Sequence, residues 1–139
     1  MKDPLKILRD VLIGGTPPSN VPEGRLIVGL VPESFRLHPY TSLYEVSGVK
    51  TEGHSEEGDS TQVSEFSKRI QISTFSKTRS EAFEAGEAFS RILETANLTV
   101  TDPTWVEFRY ESHVVIQDPI EEDVWQSVLD YSVVYQQSF

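Results

Sequence analysis

The hydrophobic pattern changes its period near residue 78, and this change constrains the fold more than any other feature. Between residues 63 and 75, apolar and polar residues alternate, as in a strand with one buried and one wet face. Residues 78–81 have the spacing of a capping box, in which Thr78 caps a helix and Glu81 reaches back to it. The sequence therefore predicts a strand that leads directly into an amphipathic helix ending at Asn97. The apolar stripe of that helix is Ala82, Ala85, Gly86, Phe89, Ile92, Leu93 and Ala96.

The remaining segments complete an α+β pattern. Pro4 begins a short N-terminal helix, which the glycines at 14 and 15 end. Apolar and alternating runs predict a buried strand at 25–31, a second strand at 40–50, a short strand at 98–101 and a closing hairpin of residues 105–117 and 124–135. We expect a mostly antiparallel β-sheet with the short N-terminal helix and the one long helix packed on one face.

The chain has 139 residues, which predicts a single domain over 1–139. Within it, the composition changes sharply at TEGHSEEGDS, residues 51–60. Glycines and acidic residues without aliphatic ones predict a mobile acidic loop, which we place at 51–62.

Charge and composition exclude several classes of protein. Twelve basic and twenty-two acidic residues give a net charge of −10, which disfavours a protein that grips DNA but not one that DNA slides past. The absence of cysteine excludes disulfides, thiolate metal sites and cysteine nucleophiles. The longest apolar run, residues 26–31, is far shorter than the ~20 residues of a membrane helix. We therefore expect a soluble protein without a membrane partner.

The chemistry of catalysis is not evident in the sequence. His38, His54 and His113 show no metal-ligand spacing, and neither a nucleophile elbow nor a phosphate loop is present. We expect His113 to be a sheet-surface residue instead of a base. The prediction is of no catalytic residue, no metal and no cofactor, and hence of a protein that works by binding.

Candidate binding residues occur in three places. Phe83 lies off the apolar stripe of the long helix, toward the side shared by Ser90 and Glu94, so it either packs under a neighbouring loop or contacts another subunit. Glu87 lies on the polar side of the same helix. The acidic loop can order against a partner. The closing strand carries the aromatic residues Trp125, Tyr131 and Tyr135, most of which we expect in the core. A sheet that ends in such a strand also has an edge, which a neighbouring subunit could cover. The predicted interface residues are Phe83, Glu87, His54, Glu56, Glu57, Trp125 and Tyr135.

Three segments together resemble the tail terminator proteins (tail completion or head-to-tail joining proteins) of long-tailed bacteriophages. They are the N-terminal helix PLKILRDVL, the strand and helix KRIQISTFSKTRSEAFEAGEAFSRILE, and the closing strand VWQSVLDYSVVYQQ. The order of elements agrees over nearly the whole chain. The stretch between residues 20 and 40, which contains three prolines, departs from the family pattern.

The resemblance implies a structural role in the virion. Such proteins form a hexameric ring that caps the tail tube, ends its polymerisation and presents a docking face to the filled head, while DNA passes through without specific binding. The implied partners are further copies of the chain, the tail tube protein and a head-closure or connector protein. The implied location is the tail–neck junction, after assembly in the host cytoplasm.

Other interpretations stay open at this point. The chain could be another neck protein, either a head-closure protein or a connector adaptor. It could also be a small enzyme that uses His113 or His38 with nearby carboxylates, or a cellular interaction domain.

Overall fold

The computed structural model describes residues 4–15, 26–29, 38–54, 63–99, 106–118 and 123–138. Within these ranges the chain forms two helices and one five-stranded sheet, which confirms the predicted α+β class. The helices are α1 (Pro4–Gly14) and α2 (Arg79–Thr99). The strands are β1 (Leu26–Val28), β2 (Tyr40–His54), β3 (Val63–Ser76), β4 (Val106–Gln117) and β5 (Trp125–Ser138).

The strand order in the sheet is β1-β2-β3-β5-β4. Strand β1 is parallel to β2, and every other neighbouring pair is antiparallel. Strands β3 and β4 therefore point the same way, and α2 joins them by crossing over β5. The predicted hairpin of the last two strands is confirmed, but β5 lies inside the sheet between β3 and β4. The prediction that the closing strand could form an edge of the sheet is wrong, because β4 occupies that position.

Both helices pack on one face of the sheet, and the core lies between the two layers. The predicted stripe of α2 is confirmed, since Phe89 and Leu93 are fully buried and Ile92 packs against the core from its margin. Helix α1 adds Leu8 and Leu12 to the same cluster. The sheet side of this core consists of Leu26, Leu43, Ile70, Ile72, Phe108, Leu129, Tyr131 and Val133.

The start of α2 forms only half of the predicted capping box. The backbone N–H of Glu81 donates to Thr78 Oγ1 at 3.2 Å, which is the expected cap. The Glu81 carboxylate instead accepts a hydrogen bond from Ser76 Oγ at 2.9 Å, and Ser76 Oγ also accepts from the Thr78 N–H. In a full capping box, the Glu81 carboxylate would accept from the Thr78 N–H. Here Ser76, at the end of β3, bonds to both groups and so connects the strand to the helix.

Several predicted boundaries differ from the observed ones. Strand β2 continues to His54, because its antiparallel ladder with β3 extends to the pair His54–Val63. Of the predicted acidic loop, residues 51–54 therefore belong to a strand, and 55–62 lie outside the described residues.

Helix α2 extends beyond its predicted end at Asn97. Leu98 and Thr99 are helical, so the predicted short strand does not begin there. An Asn in a helix costs at most about 0.7 kcal/mol relative to Ala, which does not end an established helix.

The predicted buried strand at 25–31 is shorter and more exposed than expected. Strand β1 has only three residues and a single neighbour among the described strands, so Leu26 is buried but Val28 is exposed. Gly29 ends the strand with φ at +88°, a conformation that favours glycine. Its N–H donates to the Leu43 carbonyl at 2.8 Å, and Ser42 Oγ donates to its carbonyl at 2.6 Å.

A bulge in β4 reverses which residues face the helices. The register with β5 shifts between Tyr110 and Ser112, so two residues of β4 lie opposite one residue of β5. Phe108 faces α2 before the bulge, whereas His113 faces α2 after it. The prediction that His113 lies on the sheet surface is wrong, because a strictly alternating strand would have directed Ser112 toward α2. Val114 and Ile116 point to the other side of the sheet and are exposed.

Candidate subunit interface

Strand β4 forms one lateral edge of the sheet. Its one strand neighbour in the described part of the chain is β5, and its outer side is here named the β4 edge. Three of its large hydrophobic side chains are exposed: Tyr110 and Val114 at 53% each, and Ile116 at 41%. A long strand with exposed apolar residues at the margin of a sheet is a ready site for pairing with another chain.

At the opposite margin of the sheet, most of β2 has no outer strand neighbour among the described residues. Strand β1 pairs only with Thr41, Ser42 and Leu43. For the remainder of β2, residues 44–54, the one strand partner within the described residues is β3, and this outer side is here named the β2 edge. Val46 lies on it at a register shift and is 52% exposed. The domain thus presents two edges that differ in sequence and position.

The side of the sheet opposite α1 and α2, here named the far face, carries a polar network. Gln71 Nε2 donates hydrogen bonds to the Tyr44 hydroxyl at 2.5 Å and to Ser73 Oγ at 2.7 Å. Gln126 Nε2 donates to the same Ser73 oxygen at 3.3 Å. These bonds connect β2, β3 and β5 side by side. The central strands of this face are therefore held together by side chains as well as by the backbone ladder.

A second network on the far face lies at the β4 bulge. Asp130 Oδ2 accepts hydrogen bonds from Arg69 Nη2 and from Ser112 Oγ, each at 3.2 Å. The bulge allows this contact, because Ser112 instead of Glu111 is the register partner of Asp130. Asp130 Oδ1 is buried and has no hydrogen-bond partner among the described residues. Such an atom is uncommon in folded proteins, because leaving it unpaired costs free energy.

Helix α2 meets β4 and β5 at a cluster around His113. The His113 side chain is 5% exposed, with Nδ1 3.2 Å from Glu87 Oε1 and Nε2 2.7 Å from Ser127 Oγ. The ring of Phe83 stacks on the imidazole, with centroids 5.5 Å apart. Phe83 is nevertheless 45% exposed. Two predicted interface residues, Phe83 and Glu87, are thus brought together beside the edge strand.

The order of hydrogen bonds from Ser127 through His113 to Glu87 is that of a serine-hydrolase triad. The chemistry of a triad requires an accessible hydroxyl beside donors for an oxyanion. Ser127 is fully buried, and Gly86 of α2 lies directly over it and over His113. The buried Ser127 hydroxyl does not meet this requirement, and the hydrogen bonds of His113 join α2 to the sheet.

The other predicted interface residues do not form one patch. Trp125 begins β5 and is half-buried, with register partners Ser76 and Gln117. Tyr135 lies ten positions further along β5, opposite Phe66 and Val106, which is roughly 34 Å away at strand geometry. His54 ends β2, and Glu56 and Glu57 lie outside the described residues. The sequence does not predict the exposed residues Val114, Ile116 and Val46, because their exposure depends on the register of β4 with β5 and of β2 with β3.

The described residues show neither a metal site nor a membrane-spanning helix. No group of three or more possible metal ligands occurs among the described residues. Neither α1 nor α2, the helices of the described ranges, is long and apolar enough to cross a membrane.

Two side chains of the described residues have shifted pKa values. A hydrogen bond from Lys77 Nζ, 2.8 Å away, lowers the pKa of the exposed Asp123 carboxyl. Burial raises the pKa of Tyr131, whose hydroxyl lies 2.6 Å from Ser90 Oγ.

In the described part of the chain, these features define a two-layer α+β fold with two unlike strand edges that lack an outer strand neighbour. No protein-family model matches the chain, and no curated protein matches it. Thirty-eight chains of solved structures do match. One belongs to the virion of a native gene transfer agent (GTA) particle and aligns with a TM-score of 0.51 at 13% identity, over 94% of this chain and 85% of that chain. At this identity the match shows a shared fold.

Proposed function

We propose that this chain is a structural subunit of a phage-like virion, and specifically the tail terminator that caps the tail tube. The observation that carries the proposal is the fold match to a chain of the gene transfer agent virion, which covers nearly the whole of both chains. A match of this extent concerns the complete domain and not a common motif within it. The resemblance of the three sequence segments to tail terminators supports the finer assignment.

Two further properties support a ring subunit. A closed ring needs two different complementary patches on each subunit, and the β4 edge and the β2 edge are two unlike surfaces at opposite margins of one sheet. The net charge of −10 also suits a channel through which DNA passes without being retained. In this proposal the ring is a hexamer that ends tail polymerisation and presents its other face to a head-closure or connector protein at the tail–neck junction.

The neighbouring proposal, another neck protein, fits the fold less well. Connector adaptors are mainly helical and head-closure proteins are small barrels, as is generally true of those classes. The described part of this chain is instead an open sheet covered by helices on one face. A histidine-dependent enzyme is disfavoured by the burial of Ser127 beneath α2.

The test is deletion of the gene from the phage that encodes the chain, followed by electron microscopy of the lysate. Loss of a tail terminator gives tails of uncontrolled, excessive length, because nothing ends tube polymerisation. Loss of another neck protein gives tails of normal length and heads that leak DNA. Complementation with the wild-type gene is the control. Normal tails in the deletion lysate would refute tail capping.

Assembly is tested separately on the purified protein. Native mass spectrometry with and without tail tube protein should detect a closed ring, either alone or on tube ends. A chain that is monomeric under both conditions is incompatible with the ring.

A further inference from the structure

We propose that copies of this chain join edge to edge, with the β4 edge of one copy paired antiparallel to the β2 edge of the next. The occupant of each open edge is thus a second copy of the same chain. This inference names the interface of the ring and rests on the function proposed above.

The directions of the strands support this arrangement. Strands β2, β3, β5 and β4 alternate in direction across the sheet, so β4 runs opposite to β2. A second copy in the same orientation therefore brings its β2 alongside β4 as an antiparallel neighbour. Pairing of β4 with β4 would leave the β2 edge of each copy uncovered, whereas β4 with β2 covers both edges. Because the joined edges are unlike, the contact propagates from copy to copy, and it gives a ring when the rotation between neighbouring copies closes.

The lengths of the two edges also correspond. Strand β4 has 12 residues, and the β2 edge, residues 44–54, has 11 (54 − 44 + 1). The limit at Tyr44 has a physical cause, since β1 already occupies the outer side of β2 as far as Leu43. Within the described residues, no strand other than β3 pairs with β2 from Tyr44 onward, so a neighbouring β4 can pair there.

This limit imposes a stagger between neighbouring copies. Within one sheet, Ile116 is level with Tyr40 through the register partners Gln126 and Phe75. If Ile116 instead pairs with Tyr44 of the next copy, the copies are displaced by four residues (44 − 40), or roughly 13 Å along the strands. A sheet that closes around an axis requires such a stagger. The position of β1 thus favours a closed ring over a flat ribbon.

The exposed side chains agree with this register. Ile116 and Tyr44 both point to the far face, so they can lie opposite each other. Two residues further along, Val114 then lies opposite Val46 at the register shift of β2. Each of these two valines is more than half exposed in the isolated chain, and cross-strand contact would reduce the exposed area of both. Phe83 lies beside the same strand through its contact with His113.

Engineered disulfides test the pairing directly, because the chain contains no cysteine. The two pairs are Ile116→Cys with Tyr44→Cys, and Val114→Cys with Val46→Cys. Within one copy, β2 and β4 are three strand spacings apart, about 14 Å, which is beyond the ~7 Å limit between the Cα atoms of a disulfide. Any disulfide between them therefore joins two copies. After mild oxidation, with and without tail tube protein, non-reducing gels and mass spectrometry should show a ladder that ends at the closed ring.

The controls separate this contact from random collision. Each single-cysteine variant should stay monomeric on the gel, and so should a double variant with Glu84→Cys and Glu94→Cys, two exposed positions of α2. Circular dichroism confirms that each variant folds. Disulfide dimers of a single-cysteine variant at a yield equal to that of the double variant would overturn the proposal, because such dimers do not need the contact between β4 and β2.

The failure of this inference and the failure of the proposed function are distinguishable. If wild-type rings form but neither double variant gives the ladder, the edge pairing is wrong and the ring stands. If the wild-type chain is monomeric with and without tube protein, the ring itself is wrong. A ladder that forms only on tube protein supports both.

Discussion

Gly86 of α2 lies directly over the imidazole of His113 in β4, and the space between them does not admit a methyl group. A Cβ at position 86 would meet Ser127 Oγ at 2.5 Å and His113 Cε1 at 2.7 Å. Glycine inside a helix costs roughly 0.5–1 kcal/mol relative to alanine. The close approach of α2 to the sheet, and with it the hydrogen bonds of His113, depends on this residue.

Gly86→Ala should lower the free energy of unfolding. Overpacking of a well-filled site costs about 1–3 kcal/mol, which exceeds the helix gain, so we expect a net loss of about 1–2 kcal/mol. Urea denaturation measures the change. Gly14→Ala is the matched control, because a Cβ at Gly14 meets nothing within 4 Å. A Gly86→Ala protein that is more stable than wild type would contradict the close packing described here.

The contrast between residues 78 and 111 shows how far the sequence can predict this fold. The change of period and the cap at Thr78 depend on neighbours in the chain, and both the strand-to-helix order and the buried stripe of α2 are confirmed. The bulge in β4 depends on how β4 registers with β5, which is a contact distant in sequence. One inserted residue reverses the two faces of the strand, so the burial of His113 and the exposure of Val114 were both missed.

The position of β5 inside the sheet was missed for a related reason. Strands adjacent in sequence pair often, and the β4–β5 hairpin follows that rule. Which strand of a hairpin lies outermost is decided by the path of α2 across β5, which local patterns do not encode. Trp125 and Tyr135 therefore lie on an interior strand, and the edge position belongs to β4.

Thr78→Ala should destabilise the domain through the start of α2. The substitution removes the acceptor of the Glu81 N–H and should cost about 1 kcal/mol, within a range of roughly 0.5–2 kcal/mol. Chemical denaturation provides the measurement, and Ser80→Ala, at an exposed position of the same turn, is the control. Equal effects of the two substitutions would argue against the cap.

Phe83→Ala separates a role within the subunit from a role between subunits. Phe83 contributes stacking on His113, which is worth about 0.5–1.5 kcal/mol, whereas truncation of the fully buried Phe89 should cost about 3–5 kcal/mol. If Phe83 also contacts a neighbouring copy, the substitution should weaken ring formation about tenfold or more, which analytical ultracentrifugation can measure. A variant that loses only stability and assembles normally would assign Phe83 to the subunit alone.

Tyr131 should make the domain less stable at alkaline pH. Burial raises its pKa above the ordinary value of 10.0, so above about pH 10 the unfolded chain loses the phenol proton while the folded chain retains it. The unfolded state then binds fewer protons, and the contribution of Tyr131 to stability declines as pH rises through the folded pKa.

The measurement is the difference in unfolding free energy between wild type and Tyr131→Phe from pH 8 to about pH 11. Below about pH 10 the difference should be constant and include about 1 kcal/mol for the hydrogen bond with Ser90. Above it, the difference should shrink, because phenylalanine does not titrate. Ser90→Ala is the control, since it removes the same hydrogen bond but keeps the phenol, and it should retain the alkaline decline. A constant difference up to pH 11 would show that the folded state does not disfavour the phenolate.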